Sequence, residues 1–471
     1  MNRTAPPTMA RAPQHAGTAL VLALGLLLVG CATVPPEATL SDARQRLPDA
    51  ALALQTDTAA REAARQQADA LLAQPLDAEA AVRLALLASP ALQALIAEAW
   101  ATELQAQARG RPANLHLAFE RLTHDGGVEF TRALGLSLGD WLLWPARHAQ
   151  AAQAGRAARL NLAAEVLGLR QAVRQQWVRT VAAAELAHYH AQVREAADAS
   201  AELARRMQAV GNFSRLQRAR QQAFQAEAVV RQQRAVQAER AEREALVRLL
   251  GLDATQAARL RLPDRLPALP PTPRDADAVA NAAAAAPGLQ AQAATARQAA
   301  ADALAPWAAA APRLELTLMR SREGSDRSRA FELGLDLPLT DGRSAVQATQ
   351  LAAGQRARQA TLEAGSRLRE AYAGYRQAHD LARHQREVLV PLSQTIRDEV
   401  QLQYNGMLVG VFELLAEARS QVGAVIAAIE AQRDFWLADA ALQAAIDGVP
   451  LAAATPAASS SPAAAGKADA H

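Results

Sequence analysis

The sequence is short of cysteine, of aromatic side chains and of long apolar runs, and each shortage excludes something. Cys31 is the only cysteine among 471 residues, so the chain closes no internal disulfide and offers no cysteine zinc site. Aromatic residues make up 4% of the chain, too few for a compact α/β core; with Ala, Gln, Leu and Arg dominating, the composition is that of long helices. An excess of one charge sign is also missing. Lys+Arg of 50 against Asp+Glu of 47 leaves +3, spread without blocks, which argues for no nucleic-acid partner. No window holds about 18 consecutive apolar residues, so no transmembrane α-helix is expected and any bilayer crossing has to use strands.

Catalytic signatures are absent too. There is no HExxH, no Gly-x-Ser-x-Gly, no phosphate-cradling loop and no dinucleotide fingerprint. Of nine histidines, His188 and His190 stand two apart on a helix and share no face, and His379 and His384 stand five apart, a poor chelating step. Solvated helix positions are the reading for these four. No catalytic residue, no metal site and no cofactor is assigned.

What is present begins at the N-terminus. Arg3 and Arg11 precede an apolar run from Ala19 to Val29, too short to span a bilayer but suited to the core of an export signal. The run ends in Leu28-Val29-Gly30-Cys31, which resembles a bacterial lipobox: residues 1–30 read as a lipoprotein signal peptide and Cys31 as the lipidated first residue of the mature chain. Acyl chains there would hold the terminus at a membrane. Residues 31–75 read as a tether followed by a short helix.

The rest of the chain repeats itself. Ser89-Pro90-Ala91-Leu92 returns as Ala286-Pro287-Gly288-Leu289, Pro112 as Pro312, Val210-Gly211-Asn212 as Tyr404-Asn405-Gly406, and Leu250-Gly251 as Asp447-Gly448. All four markers keep an offset of about 195 to 200 residues, so two similar halves are expected. The boundaries read 76–261 for the first repeat, 262–274 for a proline-rich linker, 275–450 for the second repeat and 451–471 for a disordered tail. Each half opens with a helix broken at its proline. Two strands with period-2 alternation follow, at about 113–122 and 128–139 and again at about 313–321 and 329–339. A long helix and a returning helix complete each half. In the first half Leu162, Val166, Leu169, Val173, Trp177 and Val181 recur at coiled-coil spacing; Gly365, Leu368, Tyr372, Tyr375, His379 and Ala382 do so in the second. Pro391 should kink the second rod.

The fold class is therefore mainly α with a small β part. A strand tilted through a membrane needs about 9 to 11 residues, apolar outside and polar inside, and these four strands fit, with His116 on the inner side. Four strands cannot close a barrel. Two copies would give about eight strands with a filled interior, and three about twelve with a lumen. The residues leave a rival open: a lipid-anchored periplasmic coiled-coil scaffold without a pore.

The order of elements, with Ser89-Pro90-Ala91-Leu92, Leu335-Asp336-Leu337-Pro338-Leu339 before Asp341-Gly342-Arg343, and Tyr404-Asn405-Gly406 before Glu413-Leu414-Leu415-Ala416-Glu417-Ala418-Arg419-Ser420, resembles the TolC family of outer membrane efflux proteins. The resemblance covers roughly residues 76 to 449. It implies a homotrimer in outer membrane lipid, with a twelve-stranded barrel continued by a helical tunnel into the periplasm. It also implies two partners, a periplasmic adaptor protein and an inner membrane pump of the resistance-nodulation-division type. Gly211, Asn212, Phe213 and Ser214, with Asn405, Gly406 and Met407, match the family's adaptor-facing tips. Glu413 lies nearest the acidic residues that constrict the tunnel mouth, although Ala416 stands where a second acid would be. Gly211 to Leu216 with Ala219 and Arg220 is similar to members from heavy-metal efflux systems.

Overall fold

A computed structural model describes residues 34–449 apart from 49, 113–114, 125–126, 286–287, 307, 309–310, 324 and 338–341. Cys31, the signal segment and the tail 451–471 lie outside the described residues. Three short helices come first, α1 (Pro36–Thr39), α2 (Ser41–Arg46) and α3 (Thr58–Leu71). The first repeat then runs α4 (Ala78–Ala88), α5 (Pro90–Arg109), β1 (His116–His124), β2 (Gly127–Ser137), α6 (Leu138–Ala209) and α7 (Arg215–Leu250). After α8 (Ala254–Arg259) the second runs α9 (Ala276–Ala285), α10 (Leu289–Asp302), β3 (Arg313–Glu323), β4 (Asp326–Asp336), α11 (Arg343–His384), α12 (Val390–Asn405) and α13 (Val411–Asp447). The same order of helix pair, hairpin, long helix and returning helix occurs twice.

Several boundaries differ, each for a local reason. Helix α6 has 72 residues, roughly 108 Å at about 1.5 Å per residue, and starts at Leu138, inside the stretch read as the second strand. It accommodates Pro145 two turns in. There Pro145 removes only the bond to the Trp141 carbonyl. The second rod is not merely kinked: a π-helical turn, Gln385–Leu389, separates α11 from α12. Pro391 stands in the first turn of α12 and cannot donate to the Glu387 carbonyl, so the wider turn makes room for its ring. Proline Pro90 breaks α4 from α5 with a bend of 54°. Their apolar residues, Val82, Leu84, Leu86, Leu92 and Ile96, are buried in the protein core.

That core lies where the repeats meet. The predicted seam of α6 is buried: Leu162, Val166, Val173, Trp177 and Val181 pack with Leu84, Leu92 and Leu250, and with Leu289 and Ala293 of the second repeat. The Trp177 indole donates to the Leu76 carbonyl at 2.8 Å. In the second repeat Tyr375, Ala382, Phe435 and Leu442 form a smaller cluster. His379 is buried with them, in keeping with its place on the seam and not with the solvated reading given to the histidines: its Nε2 lies 3.1 Å from the Pro270 carbonyl and its ring 5.6 Å from Phe435.

The stretches read as a linker and as a tether are both docked. The proline-rich linker straps the second repeat, since the Pro267 carbonyl accepts from Gln432 and Trp436, and the Arg274 amide donates to Tyr375. The segment read as a tether buries Leu40, Leu47 and Leu52. Thr39 there donates to Glu103 at 2.7 Å. Arg159 also pairs with Glu103, which is 1% exposed. A buried carboxylate of this kind requires such partners.

Each repeat closes on its own start. Gly251 (φ 72°) and Gly448 (φ 65°) are left-handed. Leu252 and Val449 donate back to Val247 and Ala444 at 3.2 and 2.9 Å, the Schellman arrangement. Gly251 sits on Ser89 and Pro90, and Gly448 on Gly288, where a Cβ would come within 2.2 Å of the Gly288 Cα. Alanine at Gly448 would meet both the left-handed backbone and that contact. Gly448→Ala is expected to destabilise the second repeat by at least about 2 kcal/mol, read as a lower midpoint in chemical denaturation; an unchanged midpoint would contradict the packing.

Candidate functional site: an open sheet and two helix tips

The four strands form one antiparallel sheet in the order β1-β2-β3-β4, so the two repeats are joined through β2 and β3. Directly opposed residues share a face, and neighbours along a strand alternate between faces. The register therefore sorts every strand residue. One face carries apolar rows: Leu117–Leu134–Leu318–Phe331, then Leu136–Leu316–Leu333, then Leu314–Leu335. Leu117, Leu318, Phe331, Leu333 and Leu335 are all exposed. Toward the hairpin ends the same face carries Arg121, Arg132, Arg320, Arg322, Arg327 and Arg329. The opposite face has mostly small and acidic side chains, among them Ala118, Ala133, Glu120, Glu129, Glu315 and Glu332, and it also holds His116, Arg313, Leu122 and Met319. No acid of the paired strand residues falls on the leucine face. Strands β1 and β4 pair on one side only, which leaves two edges of backbone donors and acceptors open.

At the far end of the helical rods the chain turns twice. In the first tip Gly211 has φ 82°, and Asn212 and Phe213 donate to the Met207 carbonyl at 2.9 and 3.3 Å. Ser214 then caps α7: its hydroxyl accepts from the Gln217 amide at 3.2 Å while Gln217 accepts from the Ser214 amide at 2.6 Å. In the second tip the left-handed residue is Met407 (φ 60°) and not Gly406. Leu408 donates to the Gln403 carbonyl at 2.9 Å, so Gly211 corresponds in structure to Met407. The glycine pairing read from sequence is off by one residue, because Gly406 keeps an ordinary φ of −77°.

Asn212, Ser214, Asn405, Gly406 and Met407 are exposed at these turns, and Met407 is 93% exposed. Phe213 is not presented outward. It is buried and packs on Phe412 of the other tip, ring centroids 5.1 Å apart. Glu413 stands exposed in the first turn of α13, where the helix N-terminus favours a negative charge.

A membrane protein from Pseudomonas aeruginosa aligns with this chain at 20% identity and a TM-score of 0.67, over 78% of this chain and 93% of its own. The CmeC outer membrane channel of Campylobacter jejuni aligns at 13% identity and a TM-score of 0.67, over 79% and 85%. The outer membrane protein VceC of Vibrio cholerae aligns at 14% and 0.65, over 82% and 97%. The chain has the TolC-like fold. No family model and no curated protein matches the sequence.

Within this fold a contact that spacing did not reveal lies above the tips. Arg419 of α13 places its guanidinium 4.2 Å from the centre of the Phe224 ring of α7 and donates to Gln221 at 2.9 Å. Gln221 is buried, and Ser200 of α6 donates to it at 3.2 Å. With Phe213–Phe412, this ties the α12–α13 hairpin to the α6–α7 hairpin. The signal in sequence was only Arg419 within Glu413 to Ser420; its partners lie about 200 residues away, and nothing local names them. Among the described residues no cluster of three potential metal ligands occurs.

Two carboxylates in the part of α13 far from the tips are raised by burial. Burial pushes Asp447 at the end of α13 above the ordinary carboxylate range, against Gln443 and Gln171, which donate to it at 3.2 and 3.3 Å. Asp439 is raised in the same way by burial, against the opposing Arg274 at 2.9 Å. A raised folded pKa means that the native state binds the proton more firmly than the unfolded chain. The contribution is full below the ordinary range and lost as pH rises through the folded value. Asp447→Asn is expected to raise the thermal midpoint at pH 7 more than at pH 4; an equal shift at both would contradict this.

Proposed function

We propose that this chain is the outer membrane exit duct of a tripartite efflux pump, acting as a homotrimer. The observation that carries the reading is the two-faced sheet with both edges open. Apolar side chains exposed on one face and acids gathered on the other match a wall between lipid and water. Open edges are not tolerated in hydrocarbon, so β4 of one copy has to pair with β1 of the next. Three copies give about twelve strands and a passable lumen. An arginine facing lipid costs about 2–4 kcal/mol at the midplane and about 0–1 near an interface, which agrees with arginine being confined to the hairpin half of this face, where Arg132 at the middle of β2 is the deepest. Trp141 and Trp144, with rings 6.2 Å apart at the start of α6, stand where a lower aromatic girdle belongs. A soluble scaffold would leave the leucine face and both edges unexplained.

The helical rods then form the tunnel. Exposed Val210, Met407 and Leu408 at the tips supply an apolar rim for a periplasmic adaptor, and an inner membrane pump provides the energy. Cys31, acylated, holds the mature terminus at the membrane and aids sorting. Opening parts the α12–α13 hairpin from α6–α7, which breaks Phe213–Phe412 and Arg419–Phe224, while Glu413 and its symmetry copies ring the mouth. The exported cargo is a metal ion or a drug, passing an acidic lumen wall that favours cations.

Planar-bilayer recording tests the reading. The full chain should insert and conduct weakly, with a reversal potential showing cation preference. The aromatic and cation–π contacts together are worth on the order of 1–2 kcal/mol, so Phe412→Ala with Arg419→Ala should raise the open fraction roughly five- to thirtyfold. A protein that never conducts, with or without these changes, would contradict the duct.

A further inference from the structure

The arginines of the leucine face are arranged in rows. Arg132, Arg320 and Arg329 line up across β2, β3 and β4 with Phe119 of β1 beside them; two residues nearer the hairpin ends, Arg121, Phe130, Arg322 and Arg327 form a second row. All six arginines are exposed. Like charges directly opposite one another across strands are unfavourable, and the paired strand residues place no acid on this face. Arg132, Arg320, Arg327 and Arg329 form no ion pair or hydrogen bond among the described residues, while Arg121 lies 5.6 Å over the Phe130 ring. Arginine is nearly the only cation this chain uses, Lys467 being the exception. The information is therefore in the sidedness and the rows, not in the choice of arginine.

Depth supports the same view. At about 3.4 Å per residue and a tilt of about 45°, the rows lie roughly 2 to 7 Å below the end of the β3–β4 hairpin and roughly 7 to 12 Å below the longer β1–β2 hairpin, with leucine and phenylalanine beneath them. That is the level at which acyl chains give way to headgroups. A shallow groove of about 400 Å³ is lined by Leu117, Phe119, Leu134, Arg132, Arg320 and Arg329, apolar below and cationic above. Guanidinium groups bind phosphate oxygens bidentately.

We propose that the two arginine rows bind the phosphate groups of a phosphorylated lipid in the outer leaflet, and that this contact sets the depth of the barrel. The inference rests on the sheet spanning the outer membrane. The full chain is reconstituted into phosphatidylcholine nanodiscs containing diphosphoryl lipid A or its dephosphorylated form, without divalent cations. Insertion is scored first by protection of the strands from protease, then lipid retention by native mass spectrometry. The wild type should retain the phosphorylated lipid selectively. Arg132→Gln/Arg320→Gln/Arg329→Gln should still insert into phosphatidylcholine but hold the phosphorylated lipid at least about tenfold more weakly. Equal retention of the two lipids by the wild type, which needs no variant, would overturn the proposal and leave the duct standing. So would undiminished retention by the variant; failure to insert at all would overturn both.

Discussion

The structure depends on the unmet backbone hydrogen bonds along two strand edges. A helical protein of this length could bury its apolar seams within one chain, and α6 does so against α4, α5, α7 and α10. The sheet cannot. With the order β1-β2-β3-β4, one copy always ends in two rows of unpaired donors and acceptors beside an exposed leucine face. Water can satisfy those groups, but hydrocarbon cannot. The sheet is therefore stable in lipid only as part of a closed ring, and the duplication supplies two hairpins that share one register. Charge follows the same division, with acids on one face and arginines in the hairpin half of the other.

Away from the sheet, the same economy of repeats is kept by small residues at the ends. Gly251 lets α7 stop against Ser89 and Pro90, and Gly448 lets α13 stop against Gly288 at the start of α10, so the two halves can be long and still have fixed ends. The buried Glu103, held by Thr39 and Arg159, fastens the segment next to Cys31 onto α5 and α6. A lipid on that terminus would thus pull on the folded body and not on a slack string. The tips are held differently, by one aromatic pair and one arginine over a ring. Contacts of that size hold the two hairpins together without locking them.

Much of this was legible in the sequence because periodicity is local. The alternation of Leu314, Leu316 and Leu318 and the seam from Leu162 to Val181 each state their own conformation and buried face. The order of elements followed from four markers, and with it the resemblance. What was not legible depended on geometry that no short window contains. Met407, and not Gly406, takes the left-handed turn, since the end of the helix is fixed by where hydrogen bonds run out and not by the nearest glycine. His379 looked solvated until the proline-rich linker was seen to cross over it. Phe213 was read as part of an outward tip, but it faces Phe412 from the other repeat. The segregation of charge by face needed the cross-strand register, because sequence gives each strand's alternation but not which rows meet.

The claim on which the account turns is that the open edges of separate copies pair with one another. Paired cysteines test it most directly, with Ala330 of β4 changed to cysteine and a second cysteine stepped through residues 116–123 of β1 in the full-length protein in native membranes. Mild oxidation should yield covalent species that run to a trimer and stop there, at a narrow set of β1 positions and in neither single-cysteine control. A ladder absent at every position, with both edges freely labelled by a water-soluble thiol reagent, would contradict the closed ring.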